Sequence, residues 1–218
     1  MTDSAAGLGV RADLLAAYTQ SLLHVASPGP RLTAARRVEV ADAALAAYLD
    51  PAPPPPWVRP YGDAALDVAH RLGCHAGTLT EQWYRQILDE GMHSLEWVEI
   101  VGVVVGALPP VAFARAVGHA MPRLPAPVDG EPTGRVAPEL APATLNWVPV
   151  AAPADEVASV VQALSALPDE WDNLWQLAAA QYMSDRQMDD PRWNRGTLGR
   201  PQMELAAGRI SRIRECFF

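Results

Sequence analysis

Apolar residues recur along this chain at helical intervals, and prolines cut the pattern into segments. Leu14, Leu15, Tyr18, Leu22 and Leu23 share one face of a first predicted helix. Val38, Ala41, Leu45 and Tyr48 do the same in a second, which the five prolines among residues 51–56 must end. Asp63 is placed to cap a third helix and Gly73 to close it. Thr78-x-x-Glu81 reads as a capping box opening a fourth, closed by Gly91. Ser94 caps a fifth running to about Leu108, after which Pro109-Pro110 start a short helix that Gly118 ends. Residues 119–153 carry eight prolines and no helical period, so an extended connection is expected, pinned by Leu140, Leu145 and Trp147. Helical signals resume at Asp155 to Leu167 and again from Pro168 to Tyr182, and break at the polar stretch Ser184 to Gly199. Arg200-Pro201 open a last helix that runs through Glu204, Ala207 and Ile210 to about Arg214. No segment alternates as a strand does, so the expected class is all-α.

The 218 residues suffice for one domain or two small ones. Half are hydrophobic and 19% charged, the composition of a soluble globular chain. A net charge of -8 argues against non-specific binding to nucleic acid or to an anionic membrane, both of which need a basic face. The longest apolar stretch, Ile100 to Ala114, contains two glycines and two prolines. It falls short of the roughly 20 residues of a membrane span. The start, Met1-Thr2-Asp3-Ser4, lacks the basic residues of a signal peptide, and two cysteines make no disulfide framework. The expectation is a reduced, cytoplasmic protein.

Several side chains could carry chemistry. His70, Cys74 and His75 form an H-x-x-x-C-H cluster whose one-turn spacing could chelate a soft metal. Gly73 lies between them and favours a helix end and a turn, while His93 and His119 stand apart. These three are weak candidates, and no metal is expected. Glu96 and Glu99 flank Trp97 ahead of the run Ile100 to Val105. A carboxylate at Glu99 would face a partly buried site and titrate high unless paired. Arg115 or Arg71 are the candidate partners, in an ion pair rather than a catalytic role. Trp83, Trp97, Trp171 and Trp175 are expected to fill the core or an interface.

The C-terminal segment is more specific. Arg200-Pro201-Gln202-Met203-Glu204-Leu205 leads to Arg214-Glu215-Cys216-Phe217-Phe218, with Glu204 and Cys216 twelve residues apart. Further upstream stand Ala65 to Leu72, Thr80 to Trp83, Glu96 to Gly102 and Phe113 to Gly118. They are followed by Gly130-Glu131-Pro132, Trp147-Val148-Pro149 and Ala163 to Pro168. In this order, over most of residues 31–218, they resemble a two-repeat branch of the AhpD-like, or carboxymuconolactone decarboxylase-like, family. The resemblance implies an AhpD-like helical fold of two related repeats joined by a Pro-rich linker. The implied parts are an N-terminal repeat over 1–120 without a redox pair, a connection over 121–153, and a C-terminal repeat over 154–218 that carries the start of the redox motif.

The activity implied is thiol- or selenol-dependent reduction of a hydroperoxide, with a dithiol as reductant, no organic cofactor, and self-association into a homo-oligomer. Glu204 would relay the proton and Cys216 would hold the first position of a C-x-x-C pair. In the family the second position attacks peroxide and the first resolves it. A thiolate is the attacking species, and a second thiol closes the disulfide that a dithiol reopens. With one thiol of the pair, the chain as given is expected to turn over little or no peroxide. A selenocysteine codon read as a stop, an artificial boundary and a true loss of the pair are three accounts of that ending. A non-catalytic helical interaction module is the alternative function. A decarboxylase-type acid-base enzyme is a third, for which the sequence offers no dedicated His-centred site.

Overall fold

The computed structural model describes residues 9–51, 59–142, 147–152 and 162–213. Among these, helix dominates: α1 (Ala12–Val25), α2 (Ala34–Leu49), α3 (Ala64–His75), α4 (Glu81–Asp89), α5 (Ser94–Val117), α6 (Pro168–Gln181), α7 (Asp185–Met188) and α8 (Arg200–Ile213). Two ladders of two residues per strand complete it. Leu140–Ala141 (β1) pairs antiparallel with Val150–Ala151 (β2), and Asn194–Arg195 (β3) with Leu198–Gly199 (β4). The all-α class holds.

Helix α5 is the axis of the main body and packs against α1, α2 and α3. Val40, Ala44, Val68, Ala69, Ile87, Ile100 and Val103 form the centre of the core. Trp97 stands edge-on to Tyr84 at 4.9 Å and to Trp83 at 5.6 Å. The face that α2 buries is mostly alanine: Ala34, Ala41, Ala43, Ala44 and Ala47 are inside with Val40. Small side chains let α3 come close. A methyl group on Gly73 would sit 2.2 Å from the carbonyl oxygen of Ala44. Gly73 therefore serves helix packing, and α3 continues past it to His75 instead of ending there.

Other boundaries also move. On α1 the buried side is Tyr18, Ser21, Leu22 and Val25, whereas Leu15 and Leu23 are exposed. Asp63 caps α3 as expected, accepting from the backbone N–H groups of Ala65 and Leu66. Thr80, not Thr78, caps α4 by accepting from the N–H of Trp83. Thr78 is occupied otherwise, its Oγ1 donating to the carbonyl of His75 at 2.7 Å. His93, not Ser94, caps α5 through Nδ1.

The prolines at 109 and 110 do not break α5, which runs 24 residues to Gly118 in the left-handed region. Its most apolar 18-residue window has a mean hydropathy of 1.9 and is half buried. By length and composition this helix is sufficient to cross a bilayer, contrary to the expectation from its glycines and prolines. Here it is surrounded by α1, α2 and α3.

The proline-rich connection is strapped onto the main body by its backbone. The N–H of Val128 donates to Ala26, that of Thr133 to Gly29, that of Gly134 to Pro30, and that of Ala137 to Ala166. Ala137 and Val150 are buried, and Val136 and Val148 pack on the second apolar cluster, built on Leu95, Val98, Leu164 and Leu167. Trp147 does pin the strap, its ring lying 6.0 Å from that of the buried Tyr84, whereas Leu140 is exposed and Leu145 lies outside the described residues. The segment predicted helical from Asp155 also lies largely outside them.

The chain divides into two compact units, Met1–Ala180 and Gln181–Phe218. The strapped connection belongs to the first. In the second unit, Arg200 Nη1 donates to the carbonyls of Gln187 and Met188 at the end of α7, at 3.1 and 2.9 Å. No residue of α8 is buried.

Candidate functional site

Four charged or titratable side chains converge inside the first unit. Arg37 lies on the alanine-rich face of α2 with its side chain fully buried, and so do Glu99 on α5 and Glu170 on α6. One guanidinium nitrogen, Nη1 of Arg37, donates to Oε1 of Glu99 at 2.8 Å and to Oε1 of Glu170 at 2.6 Å. The rest of the guanidinium faces the end of α1. Nε donates to the carbonyl of Val25 and Nη2 to that of His24, both at 3.3 Å. Both carbonyls lie in the last turn of the helix, where a cation is the favoured partner, and that of His24 also accepts from the N–H of Ser27 at 3.1 Å.

The loop after α1 closes over the pair. Backbone N–H groups of Arg31 and Leu32 donate to Glu99 at 2.8 Å and 3.2 Å. Pro28-Gly29-Pro30 presses against it so tightly that a methyl on Gly29 would stand 2.0 Å from Oε1 of Glu99 and 2.2 Å from Nη1 of Arg37. Gly102 makes the same allowance for Glu170, whose Oε2 would be 2.5 Å from an added methyl.

The two carboxyls are not equivalent. Burial pushes the Glu99 carboxyl up, with Glu170 adding to the rise and Arg37 opposing it, and the net direction is upward. Burial also acts on Glu170, but Arg37 and the hydrogen bond from His24 outweigh it and hold this carboxyl below its ordinary range. The Arg37 guanidinium is penalised by burial and held charged by the two glutamates.

His24 is the outlet of this network. Its Nε2 lies 3.1 Å from Oε2 of Glu170, and its side chain is 23% exposed. An ionised carboxylate only accepts, so Nε2 carries the hydrogen and Nδ1 is the acceptor nitrogen of the neutral ring. The ring lines an open polar cavity of about 400 Å³ between α1 and α6, together with Gln20, Asp169, Asp172, Asn173 and Gln176. A carboxylate that fixes an imidazole at a polar cavity is an arrangement suited to holding or moving a proton.

A second cavity of about 230 Å³ involves Arg59, Asp67, His70, Arg71 and Trp83. Its charges are engaged. Arg59 donates to the buried carboxylate of Asp67 at 2.7 Å and pairs with Glu90, and Arg71 lies over the Trp83 ring at 4.3 Å. Burial holds the His70 imidazole below its ordinary range. Cys74 Sγ donates to the carbonyl of His70 at 3.1 Å. Among the described residues, no three of His, Cys, Asp and Glu are grouped to hold a metal, and His70, Cys74 and His75 gain no further acidic or sulfur ligand.

Glu99 is thus ion-paired, but with Arg37. Arg115 lies on the Tyr48 ring at 5.5 Å, and Arg71 bonds the carbonyl of Thr78 at 2.7 Å. Glu204 lies on α8 with its side chain 55% exposed, 2.5 Å from Nε of Arg200. Cys216 lies outside the described residues. Arg37, Glu170 and His24 were not singled out from the sequence. Their signals were faint: one arginine in a face of alanines, and glycines at 29 and 102 where nothing in the local pattern required them. No family model, curated protein or solved structure matches this chain.

Proposed function

We propose that the chain is of the alkylhydroperoxidase-like lineage, a cytoplasmic, self-associating helical protein whose redox end is Cys216 with Glu204 as proton relay. The reading is supported by the ordered motifs over residues 31–218 and by the twelve residues between Glu204 and Cys216. The observation that carries it is α8. Glu204 sits in its first half, solvated and outside the buried charge network, and the helix continues unbroken to Ile213, toward Cys216 in sequence. A solvated carboxylate can exchange protons with water, which a carboxylate locked in the core cannot.

The resemblance gives peroxide attack to the second position of the pair and resolution to Cys216; the step for which the given residues can be tested is attack by the Cys216 thiolate itself on the distal oxygen of a hydroperoxide. The O–O bond breaks, the sulfur becomes a sulfenic acid, and the alkoxide takes the proton relayed by Glu204. A dithiol then reduces the sulfenic acid, releasing water and becoming a disulfide. The step to measure is the first oxidation, by trapping sulfenic acid with dimedone and mapping the peptide. Cys216 is expected to be trapped within one turnover, and Glu204→Gln to slow trapping about tenfold or more. Trapping at Cys74 instead, or an unchanged rate in Glu204→Gln, would remove the reading.

A second reading, a non-catalytic interaction and oligomerisation module, is favoured by one observation. Leu205, Ile210 and Ile213 of α8 are 75%, 62% and 62% exposed, an apolar set that a solvated helix does not need. Light scattering on Leu205→Glu and Ile210→Glu tests it: the module reading requires these changes to dissociate an oligomer.

A further inference from the structure

We propose that the cavity at His24 is a binding site for small organic cations, in which Nδ1 of His24 and the carboxylate of Asp172 accept the ammonium N–H bonds. This site lies wholly in the first unit and does not depend on the peroxide reading.

Three observations converge on it. The cavity, about 400 Å³, is of the size that takes a small molecule. Its polar lining is rich in acceptors: Gln20 and Gln176 amides, the Asn173 amide oxygen, and the Asp169 and Asp172 carboxylates. Asp169 is already bound to Arg135 at 2.5 Å, whereas Asp172 has no ion pair among the described residues. Among the described residues no Lys or Arg lines this cavity, so an anionic ligand would meet the Asp172 carboxylate without a counter-charge.

The buried network fixes His24 as an acceptor. Glu170 is held ionised by Arg37, so it takes the Nε2 hydrogen of His24 and leaves the Nδ1 lone pair as the ring's free acceptor. Among the described residues Nδ1 has no hydrogen-bond partner. Asn173 is oriented too, its Nδ2 donating to Ser21 Oγ at 3.1 Å, which turns its oxygen into an acceptor without a described donor. The pocket is thus polarised before any ligand arrives, and little rotamer freedom is lost on binding.

The probe is 1,4-diaminobutane, titrated into the full chain while the His24 ring nitrogens are followed by long-range proton–nitrogen NMR, with acetate as the anionic control. At about pH 8 the Nε2–H tautomer is expected, with saturable shifts at Nδ1 on adding the diamine and none with acetate. Asp172→Asn, at an exposed position, should weaken binding about tenfold, the worth of one charge-assisted hydrogen bond. His24→Gln, which keeps an N–H for Glu170 and an oxygen for the ligand, should still bind the diamine. An Nδ1–H tautomer, equal shifts with acetate, full affinity in Asp172→Asn, or loss of binding in His24→Gln would each overturn the proposal.

Discussion

Ser21 Oγ donates a 3.0 Å hydrogen bond to the carbonyl oxygen of Gly106, the acceptor that Pro110 leaves without its helical donor. A proline has no N–H, so the carbonyl four residues earlier is orphaned. On α5 that carbonyl faces the core, because Gly106 is buried. The hydroxyl from α1 fills the gap and itself accepts from Asn173 Nδ2 on α6 at 3.1 Å. Three helices are thereby joined at the point where one of them should have failed.

Ser21→Ala is expected to cost about 1–3 kcal/mol, the penalty for a buried carbonyl and a buried amide hydrogen both left unmet. Thr19→Ala is the matched control. Thr19 bonds Leu15 on the solvent side of the same helix, and its loss should stay within about 0.5 kcal/mol. Urea unfolding midpoints compare the two, and equal shifts would mean that the Gly106 carbonyl is satisfied otherwise.

Arg37→Ala should be among the most damaging single changes, at about 3–5 kcal/mol, because it strands Glu99 and Glu170 without a counter-charge in the core. Replacing all three together by apolar residues, as Arg37→Met with Glu99→Leu and Glu170→Leu, should recover most of the loss. If the triple variant is no more stable than Arg37→Ala, then shape and not charge dominates the site.

The sequence revealed what periodicity encodes and hid what contacts decide. Helix-forming segments, the Asp63 cap and the ends at Gly91 and Gly118 follow local rules, and the structure shows them. The split of α5 at Pro109 was expected because the rule for proline is local, whereas the compensation at Ser21 comes from 85 residues away. Gly73 was read as a helix end because a glycine required by a neighbouring backbone looks the same as one required by a turn. The ion pair of Glu99 was foreseen from its apolar surroundings. Its partner was not, since Arg37 and Glu170 are brought to it over 62 and 71 residues by the folding of α2 and α6.

Gly208 offers a test of α8 that touches nothing else. It lies inside the helix, and an added methyl would have no atom within 4 Å. Gly208→Ala should stabilise the helix by about 0.5–1 kcal/mol through backbone entropy. Amide hydrogen exchange along Arg200–Ile213 should slow about two- to fivefold. Faster exchange would show that the glycine is needed for a bend or a close contact made by α8.

The unequal carboxyls make stability depend on pH in two opposite senses. Glu170 titrates lower in the folded chain than its ordinary value of 4.5, so its contribution is present above that value and is lost as pH falls through the lowered one. Glu99 titrates higher than 4.5 when folded, so its contribution is complete below that value and is lost as pH rises through the raised one. Urea midpoints from about pH 3 to about pH 8 should therefore respond differently to the two neutral replacements. Glu170→Gln should flatten the acid limb and leave the upper limb in place. Glu99→Gln should flatten the decline above pH 4.5 and leave the acid limb, because the charge it removes is the one that burial opposes. Identical pH profiles for the two variants would show that the pair titrates as a single unit, with the proton shared across Arg37 instead of favouring Glu99.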